Sequence, residues 1–255
     1  GFVMISIILI RVWLVPTLEK ILVSTPEIEQ NEIEEKTVPN FTAINDIPTK
    51  KQVFFDYMAP AVNHQNALIL KERNFLKVIL ANLNNQQDLT EAELFKLKLL
   101  TDKYNYSVKK YDETTLAPLL IRVDTVPAKM VLIQAANETG WGSSRFAKEG
   151  NNYFGQWCFS KGCGLVPLSR KPGLNHEVAS FDTPEDSIAA YMLNLNTNSA
   201  YRLLRSIRAD IRSQEKEPTA EELVFGLIHY SERKDAYIDE LLEMLRQNKA
   251  YLAGL

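Results

Sequence analysis

The stretch PAKMVLIQAANETGWG, residues 127–142, decides the fold. Pro127 suits the opening of a helix, where its missing N–H would have had no intrahelical partner. From there Ala128, Val131, Leu132 and Ala135 recur at helical spacing and mark one buried stripe. Thr139, Gly140, Trp141 and Gly142 end the helix, with two glycines to free the backbone. Glu138 falls three positions after Ala135 and seven after Val131, so it borders the stripe in the last turn. Three features of that place raise a carboxyl pKa. Apolar neighbours desolvate the charge, the helix C-terminus disfavours an anion, and Trp141 stands close enough in sequence to shield it. A carboxyl that keeps its proton near neutrality is a candidate general acid. A lone glutamate at a helix end, without further context, is an ordinary solvated carboxylate.

Working outward, residues 153–181 change character. Glycines, Pro167 and Pro172 alternate with short apolar runs such as Leu165-Val166 and Val178-Ala179, which predicts a small β-hairpin or loop lobe. Thr183 caps the next helix, and further helices are expected over about 200–213, 220–229 and 234–248. On the N-terminal side, apolar residues from Phe54 to Leu80 recur at helical spacing, and Thr90 with Glu93 forms a capping box. The expected organisation is a segment 1–23, a linker 24–48 rich in proline and acid, a helical arm 49–110, and a helical domain 111–255 carrying the β lobe. The fold class is therefore mainly α, with a small β-hairpin lobe and an N-terminal helical arm.

Composition bounds the function. The chain has 255 residues, 45% hydrophobic and 24% charged, with a net charge of −3, which gives no basic footprint for nucleic acid. Phe2 to Val15 is nearly all apolar but short for a membrane span, and reads as part of an export signal or a membrane attachment, or else as an amphipathic helix on the body. Cys158 and Cys163 are either a small-loop disulfide in an oxidising compartment or two reduced thiols. His64, His176 and His229 lack metal-ligand spacing, and neither a G-x-x-x-x-G-K-[ST] nor an H-E-x-x-H motif occurs. No metal or cofactor is expected.

Two motifs sharpen the reading. Gln134 to Gly142, followed by Ser143-Ser144, and then Asn151-Asn152-Tyr153-Phe154-Gly155, resemble the "Q-A-x-x-E-[ST]-G-W-G-x-S" helix and "N-N-x-F-G" loop of the bacterial glucosaminidase family, glycoside hydrolase family 73. Gly155-Gln156-Trp157-Cys158, Asn194 to Thr197, and Tyr230-Ser231-Glu232-Arg233 with Ala236-Tyr237 resemble its Bax-type subgroup. The similarity spans about residues 50–248 and is most specific from 127 to 160. It implies a lysozyme-like helical fold with a groove between helices and β lobe. It also implies hydrolysis of β-1,4 bonds of cell-wall peptidoglycan on the N-acetylglucosamine side, with Glu138 in the position of the catalytic acid. The partner is then a peptidoglycan glycan strand, the location the periplasm or cell envelope, and the working unit a monomer.

The second catalytic group is less defined. Leu165 to Asn175 contains no acidic residue, so Glu177 on the returning strand is the candidate water-activating base, or simply a solvent-facing strand residue. The substrate's N-acetyl group is the alternative nucleophile, positioned by Tyr230 as the resemblance implies. Tyr153 and Trp157 are expected to stack on sugar faces or to pack the lobe, and Trp141 is counted with them among the substrate-binding residues. Asn152 either touches substrate or holds its loop. Gln134 either bonds near the acid or is buried polar structure. Two other activities share the pattern: a lytic transglycosylase, which needs the helix-end acid but no base, and a peptidoglycan-binding or scaffold protein without activity.

Overall fold

The computed structural model describes residues 37–168, 170 and 173–254. The expectations for 1–23, and for 24–48 up to residue 36, lie outside the described residues. Pro39–Leu255 forms one compact unit.

The unit is built of helices with one small sheet. A 3-10 turn, Phe41–Ala43, precedes α1 (Ile47–Asn84), whose cap Asp46 accepts the Thr49 N–H at 2.9 Å. Phe41 is buried against the Phe54 ring, so this part of the expected linker is packed into the body. α2 (Glu91–Lys103) starts at the Thr90–Glu93 capping box, and α3 (Glu113–Leu116) runs on into a 3-10 turn, Ala117–Ile121. α4 (Ala128–Thr139) is the decisive helix, followed by α5 (Arg145–Gly150). Next come β1 (Trp157–Cys158), β2 (Gly164–Leu165) and β3 (Glu177–Ala179). α6 (Pro184–Thr197), α7 (Arg202–Ser213), α8 (Ala220–Leu223) and α9 (Asp235–Gln247) complete the body. None of the described helices is long and apolar enough to cross a membrane.

The lobe is an antiparallel sheet in the order β1-β3-β2, with Val178 opposite both Trp157 and Leu165. Gly164 lets the strands approach: a Cβ there would lie 1.9 Å from the Val178 carbonyl oxygen. Cys158 and Cys163 are joined as a disulfide, which closes the β1–β2 connection.

Two clusters form the core. In the larger, Phe54, Phe55, Met58 and Val62 of α1 meet Val131, Leu132 and Ala135 of α4, with Tyr191 and Leu195 of α6 and Tyr237 and Leu241 of α9. The smaller joins Leu76 and Ile79 of α1 to Leu97, Leu100, Leu116, Leu119 and Val123. α1 therefore belongs to both: the stretch 49–110 and the stretch 111–255 share one body, because the apolar stripe of α1 is covered by α4 and α6. Asp124, 2% exposed, ties the ends of this arrangement together. Its carboxylate lies 3.5 Å from Arg73 of α1, 3.8 Å from Arg208 and 3.1 Å from Arg212 of α7.

Candidate active site

Glu138 stands where the amphipathic pattern of α4 puts it, half-buried in the last turn. The helix stops there for local reasons. Gly140 adopts φ 54°, Trp141 φ 60° and Gly142 φ 72°, three successive left-handed residues. The turn is closed by the Trp141 N–H on the Ala136 carbonyl and the Gly142 N–H on the Thr139 hydroxyl, at 2.9 and 2.8 Å. Phe41 covers Gly142 so closely that a Cβ would meet its ring at 2.3 Å.

Trp141 does not do what its sequence position suggests. Its ring meets Phe55 and Phe54 of α1 edge-on, at centroid distances of 5.3 and 5.7 Å, with the Lys51 ammonium 5.0 Å above it. The shield of Glu138 is Tyr237 of α9, whose hydroxyl donates to Glu138 Oε1 at 2.7 Å. Behind it, the Gln134 amide nitrogen donates to the Tyr237 oxygen at 3.1 Å, and the Tyr191 hydroxyl donates to Gln134 Oε1. Gln134 is fully buried, so it serves the acid from within the protein and does not reach substrate.

Glu138 opens onto a cavity of about 380 Å³ lined by Asn137, Glu138, Tyr230, Ser231, Arg233, Tyr237 and Glu240. Burial raises the pKa of Glu138 above the ordinary carboxylate value. The Tyr237 hydrogen bond and the Arg233 charge pull it down, and the Glu240 charge pushes it up, and burial wins. Tyr230 stacks on Tyr237 with ring centroids 5.4 Å apart and planes 9° off parallel. Its hydroxyl donates to the Phe154 carbonyl at 2.6 Å, which leaves the oxygen able to accept from a ligand. Arg233 and Glu240 form an ion pair at the cavity.

The remaining expected site residues have other occupations. Asn152 is buried; its amide donates to the carbonyls of Gln156 and Ala179 at 2.9 and 2.8 Å, and its oxygen accepts the N–H of Phe154 and of Gln156. It holds the loop and offers substrate nothing. Tyr153 is 1% exposed and packs beside Phe54, so no ring face is free for a sugar. Trp157 is 59% exposed and stacked on His176 at 4.4 Å, which makes it the one aromatic of the expected set available as a platform. Glu177 is buried, not solvent-facing. Its two oxygens accept the N–H groups of Gly162 and Gly164 at 3.1 and 2.9 Å, and those donors lower its pKa. Its carboxylate is taken up in bracing the β1–β2 loop. Cys158, Cys163 and Glu177 lie close together, but the disulfide leaves no thiolate to bind a metal.

Sequence reasoning missed Glu240 and the contact of Tyr237 with the acid. Tyr237 and Glu240 lie three residues apart on one face of α9. That spacing was visible, but nothing local says that the face meets Glu138, 99 positions away.

Residues 116–250 match the family described as mannosyl-glycoprotein endo-beta-N-acetylglucosaminidase. That span contains α4, the β lobe and every residue lining the cavity. The chain is 32% identical over 234 residues to "Protein bax" of Escherichia coli (strain K12), an alignment covering 91% of this chain and 81% of that protein. No solved structure matches the chain.

Proposed function

The chain is a Bax-type member of the glucosaminidase family, and from that premise we propose that it hydrolyses β-1,4 glycosidic bonds of bacterial peptidoglycan with Glu138 as general acid. The observation that carries this reading is a half-buried carboxyl with a raised pKa, held by a tyrosine, at the wall of an open cavity. Such a group keeps its proton until it meets the leaving oxygen.

The same cavity supplies two partners for the chemistry. Glu240, ion-paired with Arg233, is the carboxylate that shares the cavity with Glu138 and our candidate to activate water, since Glu177 is committed to the lobe backbone. On α9 it sits about 4.5 Å along the axis from Tyr237. An inverting reaction would place the two carboxyl groups about 6.5–9.5 Å apart with water between them. Tyr230 offers its hydroxyl oxygen to the N–H of an acetamido group, as its proton is already given to Phe154. The polar lining suits a glycan, and Trp157 on the lobe suits the apolar face of a pyranose. The Cys158–Cys163 disulfide supports a place in an oxidising compartment such as the cell envelope.

Digestion of purified sacculi by the wild type and by Glu138→Gln tests this, with released fragments identified by mass spectrometry. Fragments with reducing N-acetylglucosamine ends from the wild type, and none from the variant, are expected. Anhydro-muramic ends would replace hydrolysis by transglycosylation. Binding of intact sacculi without cleavage by either protein would refute the enzyme reading.

A further inference from the structure

Glu138 has two carboxyl oxygens, and only one of them can hand a proton to a leaving group in the cavity. We propose that Gln134 and Tyr191 are positioning residues that set the direction of a buried hydrogen-bond relay, so that the acidic proton of Glu138 is held on Oε2, the oxygen Tyr237 does not touch. The inference rests on the reading of Glu138 as the general acid.

Tyr191 is the far end of the relay. It is fully buried, its ring stacked on Phe154 at 3.9 Å and 2°. Among the described residues the hydroxyl has one partner, Gln134. A buried hydroxyl without an acceptor is unfavourable, because its lost hydration is not offset. The Tyr191 hydrogen therefore needs an acceptor, and among the described residues the one it meets is the oxygen of the Gln134 amide. That choice orients the whole amide: Oε1 faces Tyr191, and the NH2 group faces Tyr237. Turning the amide over would aim two donors at Tyr191 and strand its hydrogen.

The direction then propagates. The Tyr237 oxygen accepts from Gln134 Nε2 at 3.1 Å, so its single hydrogen is free to go to Glu138 Oε1 at 2.7 Å. Oε1 is an acceptor in both ionisation states of Glu138. The proton of the neutral acid belongs on Oε2, which takes no hydrogen bond from the described residues. During cleavage the Oε2–H bond breaks as the proton moves to the glycosidic oxygen, the C–O bond to the leaving sugar breaks with its electron pair passing to that oxygen, and water adds to the anomeric carbon and gives up a proton to the base. The electron pair left on the carboxylate is met by the Tyr237 hydroxyl, already in place.

The reversed relay shows why direction matters. If Gln134 presented its oxygen to Tyr237, the tyrosine would donate to glutamine. Its oxygen would then accept the proton of Glu138 on Oε1 and turn it into the protein, away from substrate. Tyr191, three hydrogen bonds from the acid, is what makes that arrangement unfavourable.

Tyr191→Phe removes the lock and keeps the ring stacked on Phe154. With either amide orientation now allowed, Tyr237 donates to Glu138 only part of the time. Turnover of solubilised glycan strands should fall about tenfold, a fraction of what a general acid contributes, with KM unchanged. The basic limb of the kcat profile should move upward, because a hydrogen bond that favours the carboxylate has been weakened. Tyr237→Phe should move the limb further in the same direction, and adding Tyr191→Phe to it should move it no more.

Titration of the Glu138 side-chain carboxyl by 13C NMR reads the same shift without turnover. It judges the relay even if the wild type cuts no sacculi, an outcome that would sink the hydrolase reading alone. A folded Tyr191→Phe whose Glu138 titrates as in the wild type overturns the proposal. If that variant does not fold, Tyr237→Phe decides, and an unmoved Glu138 titration there overturns it.

Discussion

Glu138 is governed by four influences of known sign: burial and Glu240 favour the neutral acid, while Tyr237 and Arg233 favour the anion. Their removal should shift the pH dependence in opposite directions. As the proposed general acid Glu138 would work protonated, so activity is expected below its folded pKa and lost as pH rises through it. Arg233→Gln removes a cation and should carry the basic limb upward. Glu240→Gln removes an anion and should carry it downward, while its residual turnover falls about 10²-fold as expected of a water base. Measured kcat profiles of the two variants check the signs; movement in the same direction would refute this account of the site. Burial of Glu138 was legible in the sequence because it follows from the period of α4 alone. Its true neighbour was not, since Trp141 lies three positions on in sequence but is left-handed at φ 60°, which swings its ring onto α1. The same turn makes a stability prediction. Gly142→Ala needs both a φ of 72° and a Cβ 2.3 Å from the Phe41 ring. A loss of about 1–3 kcal/mol is expected, read as a drop in Tm of roughly 2–4 °C per kcal/mol.

Helix boundaries set by side chain-to-backbone bonds were readable from local sequence. Thr90–Glu93 and Thr183–Asp186 cap α2 and α6 on both sides of each bond, and α7 and α9 end within a residue of where their patterns stop. What local sequence does not encode is which helix covers which. Residues 49–110 have their own periodicity and read as an arm, yet α1 lies in the core beside α4. The joint depends on Asp124, a lone acid in a loop with no motif around it. It is the buried counter-charge of Arg208, which is 1% exposed and whose pKa burial pushes down to about 10. Asp124→Asn leaves that guanidinium without its anion, and with Arg73 and Arg212 beside it. A loss of about 3–5 kcal/mol is expected. Urea unfolding measures it, and a change under about 1 kcal/mol would show that the backbone carbonyls around Arg208 suffice to hold it.

At the scale of the whole molecule, the division of labour between lobe and helical body turns on two glutamates. The sequence favoured Glu177 as water base because the lobe offers hardly another acid. The fold sets it against the N–H groups of Gly162 and Gly164, donors that glycine-rich loop backbone supplies and no sequence pattern announces. Glu240 instead shares a cavity with the acid because α9 packs on α4. Glu177→Gln keeps one acceptor but turns an NH2 group toward the second backbone donor. Hydrogen exchange at the Gly162 and Gly164 amides should quicken, and the difference from the wild type should be largest near neutral pH and shrink at low pH. There the wild-type carboxylate, whose pKa those donors hold down, also loses its charge. The sign follows: bracing by Glu177 is complete above the ordinary carboxylate pKa and is lost as pH falls through the lowered one. Turnover per folded molecule should change less than tenfold, whereas Glu240→Gln should lose about 10²-fold or more. Azide separates the roles further. It can replace water where a base has been deleted, so Glu240→Gly with azide should yield a glycosyl azide of inverted configuration. If Glu177→Gly gives that product and Glu240→Gly does not, the base lies in the lobe after all, and the lobe must close on the helical body during catalysis.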